Sequence, residues 1–179
     1  MKSKRIQARE IVRIALFTSF ICICSFISVP VGTMPVTLQL FGIYLALFCL
    51  GGGRGSLAVA LYVALGAVGL PVFSGFSGGV GRLVDAGGGF ILGFIILSLV
   101  YTIAAVFMKK LKYGRLLASA LSLLSLYAFG SLWYSAVYLG DVREIFLALL
   151  VTVFPFVILD LLKIYLAYVL YRRIYTGIN

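Results

Sequence analysis

The sequence predicts an all-α polytopic membrane protein with six transmembrane helices and both termini cytoplasmic, in one domain over residues 1–179. Four observations carry this. The chain is 63% apolar and 11% charged, with a mean hydropathy of +1.18. A soluble domain is nearer ~50% apolar and ~25% charged, so there is too little polar surface here to cover a globule in water. Apolar stretches longer than ~18 residues recur, which one signal peptide ahead of a soluble body does not explain. The sparse, irregular polar residues also lack the alternation of a membrane β-barrel. Finally, the basic residues cluster between the apolar stretches.

In chain order, the first helix is expected from Ala8 to Val29, after a short basic lead. Pro30-Val-Gly-Thr-Met-Pro35 reads as a loop, because two prolines and a glycine do not continue a helix. The second helix runs from Thr37 to Leu50 and stops at Gly51-Gly-Gly-Arg-Gly-Ser56; the third runs from Leu57 to Leu70, ahead of Pro71. A glycine-dense loop then extends from Ser74 to Gly89. A fourth helix covers Phe90 to Met108 and a fifth Leu116 to Tyr138, before the polar break Gly140-Asp-Val-Arg-Glu144. Ile145 to Tyr175 would form one helix but for Pro155, which removes a backbone donor and crowds the preceding turn. The expectation is a partial helix to Phe154 and a sixth span from Ile158.

Charge sets the orientation. Lys2, Lys4, Arg5, Arg9 and Arg13, then Arg54, then Lys109, Lys110, Lys112 and Arg115, then Arg172 and Arg173 all fall on one face of a six-span chain. That is twelve of the fifteen basic residues, and the positive-inside rule makes this face cytoplasmic. Arg82 and Arg143 fall outside, and Lys163 lies within the membrane. The +10 net charge therefore serves topology and contact with the lipid bilayer. A nucleic-acid face would interleave basic residues with exposed aromatics on a soluble module, and none is present.

Chemistry is sparse. There is no histidine, and Cys22, Cys24 and Cys49 lie in apolar segments without Cys-x-x-Cys spacing, so no metal site is expected. Gly75-Phe-Ser-Gly-Gly-Val-Gly81 follows no strand and lacks the Gly-Lys-Ser/Thr ending of a nucleotide loop. No catalytic constellation is visible, so neither enzyme activity nor a cofactor is expected. What stands out is Asp160 and Lys163, spaced to share one face of the last helix. Each charge costs at least a few kcal/mol near the bilayer centre. Such a pair is either a neutralising staple or a polar anchor for something bound in the membrane. Asp160 lies twelve residues before Arg172, about 18 Å at about 1.5 Å per residue, which puts it in the outer half beside the glycine loop. The glycines allow backbone to approach a ligand, or helices to pack closely. On the first helix, Ala15 and Ser19 form a small-xxx-small face suited to a partner helix or to internal packing.

Pro35-Val-Thr-Leu-Gln39, Leu65-Gly-Ala-Val-Gly-Leu-Pro-Val-Phe-Ser-Gly-Phe-Ser-Gly-Gly79, Gly88-Gly-Phe-Ile-Leu-Gly-Phe94 and Pro155-Phe-x-x-x-Asp-x-x-Lys163 occur in an order that resembles the BioY family. These are the biotin-specific substrate-binding (S) components of energy-coupling factor (ECF) vitamin transporters. The resemblance spans essentially the whole chain. It implies six membrane helices, a biotin cavity under the extracellular loops, and association with a transmembrane coupling subunit and cytoplasmic ATPases. Asp160 and Lys163 fall on the family's ligand-binding pair, and Ala15, with Ser19 replacing a second alanine, falls on its docking face. Phe73, Phe90 and Trp133 are candidate apolar walls, and Gly79, Arg82 and Gly89 further substrate-binding candidates. Which end of biotin meets Asp160 or Lys163 stays open. The chain departs from the family's Gly-Pro-Thr-Gly-Gly-Tyr with Asp85-Ala-Gly-Gly-Gly-Phe90, and from its Pro-Gly-Asp with Ile158-Leu-Asp160. The alternatives are an S component for another small vitamin or biotin relative, or a self-contained proton-coupled carrier. The few titratable groups disfavour the latter.

Overall fold

The computed structural model describes residues 8–31 and 34–177. Lys2, Lys4 and Arg5 of the basic lead, and Gly32 and Thr33 of the first loop, lie outside the described residues. The first helix, α1 (Ala8–Phe26), is shorter than the sequence predicts. Instead of a loop, β1 (Ser28–Val31) and β2 (Met34–Thr37) form an antiparallel hairpin that pairs Val29 with Val36 and Pro30 with Pro35. β-branched residues and the fixed φ of proline favour extended backbone here. The amide of Leu38 donates to the carbonyl of Ile27 at 3.1 Å. Counting the antiparallel alternation from that bond puts Pro30 and Pro35 at a non-hydrogen-bonded pair, where their missing N–H groups cost nothing.

α2 (Gln39–Leu50) is buried on nearly all sides and lies against α1, α3, α5 and α8. Its composition matches: an all-round apolar helix belongs inside. α3 (Gly52–Ala67) starts in the glycine run that the sequence marks as a break. Gly51, at φ +79°, makes the reversal. A Cβ on Gly52 would lie 2.7 Å from Thr102 Oγ1, and one on Gly55 2.8 Å from Leu47 Cα. Gly52 and Gly55 therefore serve close helix approach, which overrides their poor helix propensity. Glu10 and Arg54 pair across the starts of α1 and α3.

Within the expected glycine loop, α4 (Val80–Val84) forms a short helix. α5 (Gly88–Phe107) and α6 (Gly114–Tyr134) pack along each other, and α6 continues through a π-helical turn, Ser135–Leu139. A 3₁₀ turn at Val142–Glu144 leads into α7 (Ile145–Thr152). The chain then bends by 63° before α8 (Val157–Gly177). This is the break that Pro155 dictates.

By length and composition, Gly88–Phe107 and Gly114–Leu139 are long and apolar enough to cross a membrane, and the bent α7–α8 pair makes a third candidate. Gln39–Leu50 is a shorter apolar helix. Outward-facing Ile103, Phe107, Leu124, Phe154 and Ile158 are exposed, an arrangement suited to lipid rather than water. Inside, Tyr44, Phe48, Tyr101 and Tyr171 meet ring to ring, with centroids 5.8–6.4 Å apart, between α2, α5 and α8. Tyr44 Oη–H donates to the carbonyl of Ser119 at 3.0 Å.

The α5–α6 seam generates a prediction. A Cβ on Gly89 would lie 2.2 Å from Trp133 Cβ, whereas one on Gly53 would meet nothing within 4 Å. Gly89→Ala is expected to lower stability by about 1–3 kcal/mol through overpacking, while Gly53→Ala is neutral or stabilising. Thermal unfolding of the two variants in detergent checks this; equal midpoints would contradict the packing account.

Candidate functional site

The bend at Pro155 turns one face of the start of α8, the face with Asp160 and Lys163, toward the bundle. Asp160 falls in its first turn, with its amide donating to the carbonyl of Phe156 at 2.8 Å. A carboxylate there gains from the positive end of the helix dipole. One turn on, Lys163 Nζ donates to Asp160 Oδ1 at 2.7 Å. From α6, Tyr127 Oη–H donates to Asp160 Oδ2 at 2.8 Å. Asp160 is 5% exposed and Lys163 7%. The carboxylate thus accepts one charged and one neutral bond, and the ammonium, with three donors, retains hydrogens for a further acceptor.

This pair lines a cavity of about 270 Å³. Its walls come from the β2–α2 junction (Thr37, Gln39), the loop after α3 (Phe73), the α4–α5 segment (Arg82, Asp85, Phe90), α6 (Tyr127) and the α7–α8 break (Phe156). Phe73 is fully buried, seated on Gly66 and edge-on to Tyr62 with centroids 5.7 Å apart. At the more open part of the cavity, Arg82 Nη1 pairs with Asp85 Oδ2 at 2.6 Å, their side chains being 42% and 34% exposed. Asp85 Oδ1 accepts from the amide of Gly87 at 2.9 Å, and its carbonyl accepts from Trp133 Nε1 at 3.0 Å. Arg82 Nε is buried and has no hydrogen-bond partner.

Of the residues singled out from sequence, Asp160, Lys163, Phe73, Arg82 and Phe90 line this cavity, and Gly79, Gly89 and Trp133 do not. Gly79, at φ +93°, is the pivot into α4, and its amide donates to the carbonyl of Gly66 at 2.7 Å. Gly89 accommodates Trp133, so both belong to the α5–α6 seam. Trp133 instead backs the Asp85 turn. Ala15 and Ser19 are both exposed on α1, which sets aside internal packing as the reason for their small size.

Three cavity residues were missed as site residues. Tyr127 reads as one more belt or core aromatic because its partner is 33 positions away. Gln39 lies in a quoted motif and is a polar residue opening an apolar helix, which is a usable signal; its Nε2 donates to Tyr62 Oη, and its Oε1 accepts from Thr37 Oγ1 at 2.8 Å. Asp85 is, with Asp160, one of the two acidic residues of five that do not fall at span ends, a signal for buried work that does not by itself name a site role. The loop over this region is fastened to α1: Ser25 Oγ donates to the carbonyl of Val72, and Phe26 stacks on Phe76 with centroids 4.5 Å apart.

Comparison with known proteins gives a consistent result. The BioY family model matches residues 1–179. The chain is 39% identical over 167 residues to the biotin transporter BioY of Thermotoga maritima, covering 93% of this chain and 95% of that one. It is 35% identical over 168 residues to a probable biotin transporter BioY of Pyrococcus horikoshii, covering 94% and 97%. In fold, it superposes on the crystal structure of the S-component for biotin from an ECF-type ABC transporter with a TM-score of 0.81 at 23% identity, covering 96% of this chain and 95% of that one. The S component of a bacterial ECF transporter aligns with a TM-score of 0.65 at 13% identity, over 97% and 99% of the two chains.

The buried pair has a testable energetic signature. Lys163→Met alone leaves a buried carboxylate without its cation, a change expected to cost about 3–5 kcal/mol, whereas removing both charges is far milder. Thermal unfolding should therefore rank Asp160→Leu/Lys163→Met above Lys163→Met. Additive losses in the double variant would show that the two charges do not depend on each other.

Proposed function

The chain belongs to the BioY family, and from that premise we propose that it is the biotin-binding S component of an ECF-type transporter. It captures biotin from outside the cell membrane and delivers it inward with a transmembrane coupling subunit and cytoplasmic ATPases. It is a transport component, not an enzyme. The observation that carries this reading is the cavity, where a buried donor–acceptor set (Lys163, Asp160, Tyr127) meets the apolar rings of Phe73, Phe90 and Phe156. Biotin has the matching parts: an apolar bicycle, a ureido group with one carbonyl and two N–H donors, and a side chain ending in a carboxyl group. In this proposal the ureido carbonyl accepts from Lys163 and a ureido N–H donates to Asp160, with Arg82 toward the side-chain end.

The proposed topology counts α1, α2, α3, α5, α6 and the bent α7–α8 pair as six crossings. In this topology both termini and the α5–α6 loop are cytoplasmic, in keeping with the basic clusters, and the hairpin, α4 and the cavity mouth lie outside. α2, with 12 residues, is about 18 Å long at about 1.5 Å per residue, short of a hydrocarbon core of about 30 Å. Ala15 and Ser19 on the exposed face of α1 are the proposed contact for the coupling subunit, since small residues let a partner helix approach closely.

Titration calorimetry of the purified chain with biotin tests the reading, and saturable binding is expected. Lys163→Ala and Asp160→Asn should each weaken it by roughly ten- to a hundredfold, the equivalent of a charge-assisted bond of about 1.5–3 kcal/mol. Normal affinity in both variants would overturn the site. Ala15→Trp should abolish uptake in cells while leaving biotin affinity intact; unchanged uptake would remove α1 as the docking face.

A further inference from the structure

At the opposite end of α8 from Asp160 lies a second cavity, of about 550 Å³, where the start of α6 meets the last turns of α8. Lys112 and Arg115 line it on one side, and Tyr168, Tyr171, Arg172 and Tyr175 on the other. None of its lining residues is acidic. Aromatic rings position its cations instead. The Arg115 guanidinium stacks on the ring of Tyr171, with Cζ 4.5 Å from the centroid, and its Nη1 donates to Tyr171 Oη. Tyr171 is itself buried in the core, so the guanidinium rests on a fixed support. Lys112 Nζ stands 5.4 Å from the ring centroid of Tyr113. A ring face attracts a cation without neutralising it. Of the five guanidinium donors, the hydroxyl of Tyr171 takes one, and the planar fork keeps its charge and its fit to an oxyanion.

Two observations say which anion fits. The groove does not end with the cations: an adjoining cavity of about 360 Å³ shares Tyr168 and Arg172 and reaches Tyr165. Leu161, Tyr165, Tyr168 and Arg172 follow one another at spacings of four, three and four residues, which puts them on one face of α8. Leu161 and Tyr165 are exposed, so an apolar strip leads from the basic groove along the helix. A ligand that matches both parts has a phosphate joined to hydrocarbon chains. Free phosphate would use the groove and leave the strip bare. The second observation concerns the headgroup. The faces of Tyr171 and Tyr113 already carry Arg115 and Lys112, so those rings offer no cage to a choline cation, which the same charges repel.

We propose that this groove is a binding site for an anionic phospholipid, with Arg115 and Lys112 holding its phosphate and the exposed face of α8 taking its acyl chains. The site lies apart from the Asp160–Lys163 cavity and does not depend on what that cavity binds. Only the choice of leaflet rests on the topology proposed above, which turns this end of α8 toward the cytoplasm, where anionic lipid meets basic pockets between helices.

Native mass spectrometry of the full chain tests this, by titration in detergent with phosphatidylglycerol and with phosphatidylcholine of the same acyl chains. The wild-type chain is expected to retain one phosphatidylglycerol roughly tenfold or more tightly than phosphatidylcholine. Lys112→Gln/Arg115→Gln should abolish that preference. Lys109→Gln/Lys110→Gln removes the same charge from the neighbouring loop, outside the groove, and should keep it. Lys112→Gln alone changes an exposed side chain, so it avoids any folding defect from the loss of Arg115 and should lower the preference by roughly threefold. Equal retention of the two lipids by the wild-type chain overturns the proposal. Equal loss in both double variants does so too, because it would show diffuse charge rather than a site. Displacement of the lipid by equimolar inorganic phosphate would make this a site for free phosphate, also against the proposal. If the wild-type chain shows no preference but Lys112→Gln/Arg115→Gln stops uptake in cells, the groove meets an acidic protein surface instead. The assay is blind to orientation and to biotin, so its failure leaves the topology and the biotin reading standing.

Discussion

A carboxylate and an ammonium buried on one turn of an apolar helix must be neutralised where they stand, and the arrangement around α8 follows from that requirement. Removing either charge strands the other at a cost of several kcal/mol. Asp160 therefore needs Lys163 and Tyr127 at hydrogen-bonding distance, which fixes the rotation of α8 against α6. It also needs to stand near a helix start, which Pro155 supplies by ending α7 and letting α8 begin at Val157. Around this point α2 must be apolar on all sides, because it lies between the elements that carry the pair's neighbours. The cavity is the space left where these elements meet the α4–α5 segment.

Much of this architecture was legible in the sequence. The apolar stretches, the proline break and the spacing of Asp160 and Lys163 depend on local chemistry alone, so they could be read directly. What escaped depends on partners distant in sequence. Gly52 and Gly55 look like helix breakers until Thr102 and Leu47 approach them. Gly89 and Trp133 look like ligand contacts until each is seen to fill the other's space. Tyr127 has no distinguishing neighbour of its own and becomes a site residue only through Asp160. The hairpin was hidden by its prolines, which read as a loop because their pairing position is invisible without register.

The same glycines explain how helices of unequal length form one body. In lipid, apolar side chains gain little by leaving one hydrocarbon surroundings for another, so close packing and hydrogen bonds hold the bundle. Gly52, Gly55, Gly89 and Gly93 bring α3 onto α2 and α5, and α5 onto α6, at distances a Cβ would forbid or crowd. Serines and threonines on packed helix faces bond back to carbonyls, as Thr18 does to Ile14 at 2.9 Å and Thr102 to Ser98 at 2.8 Å. The polar groups are thereby satisfied without water.

Trp133 is the chain's single tryptophan, and its indole N–H is committed to the carbonyl of Asp85, a residue of the cavity wall. Indole emission shifts with the polarity and hydrogen bonding around the ring. The protein therefore carries one intrinsic fluorophore, wired by a single bond to the rim of its cavity and undiluted by any other indole. Its emission maximum is a built-in optical gauge of that rim, readable without a label.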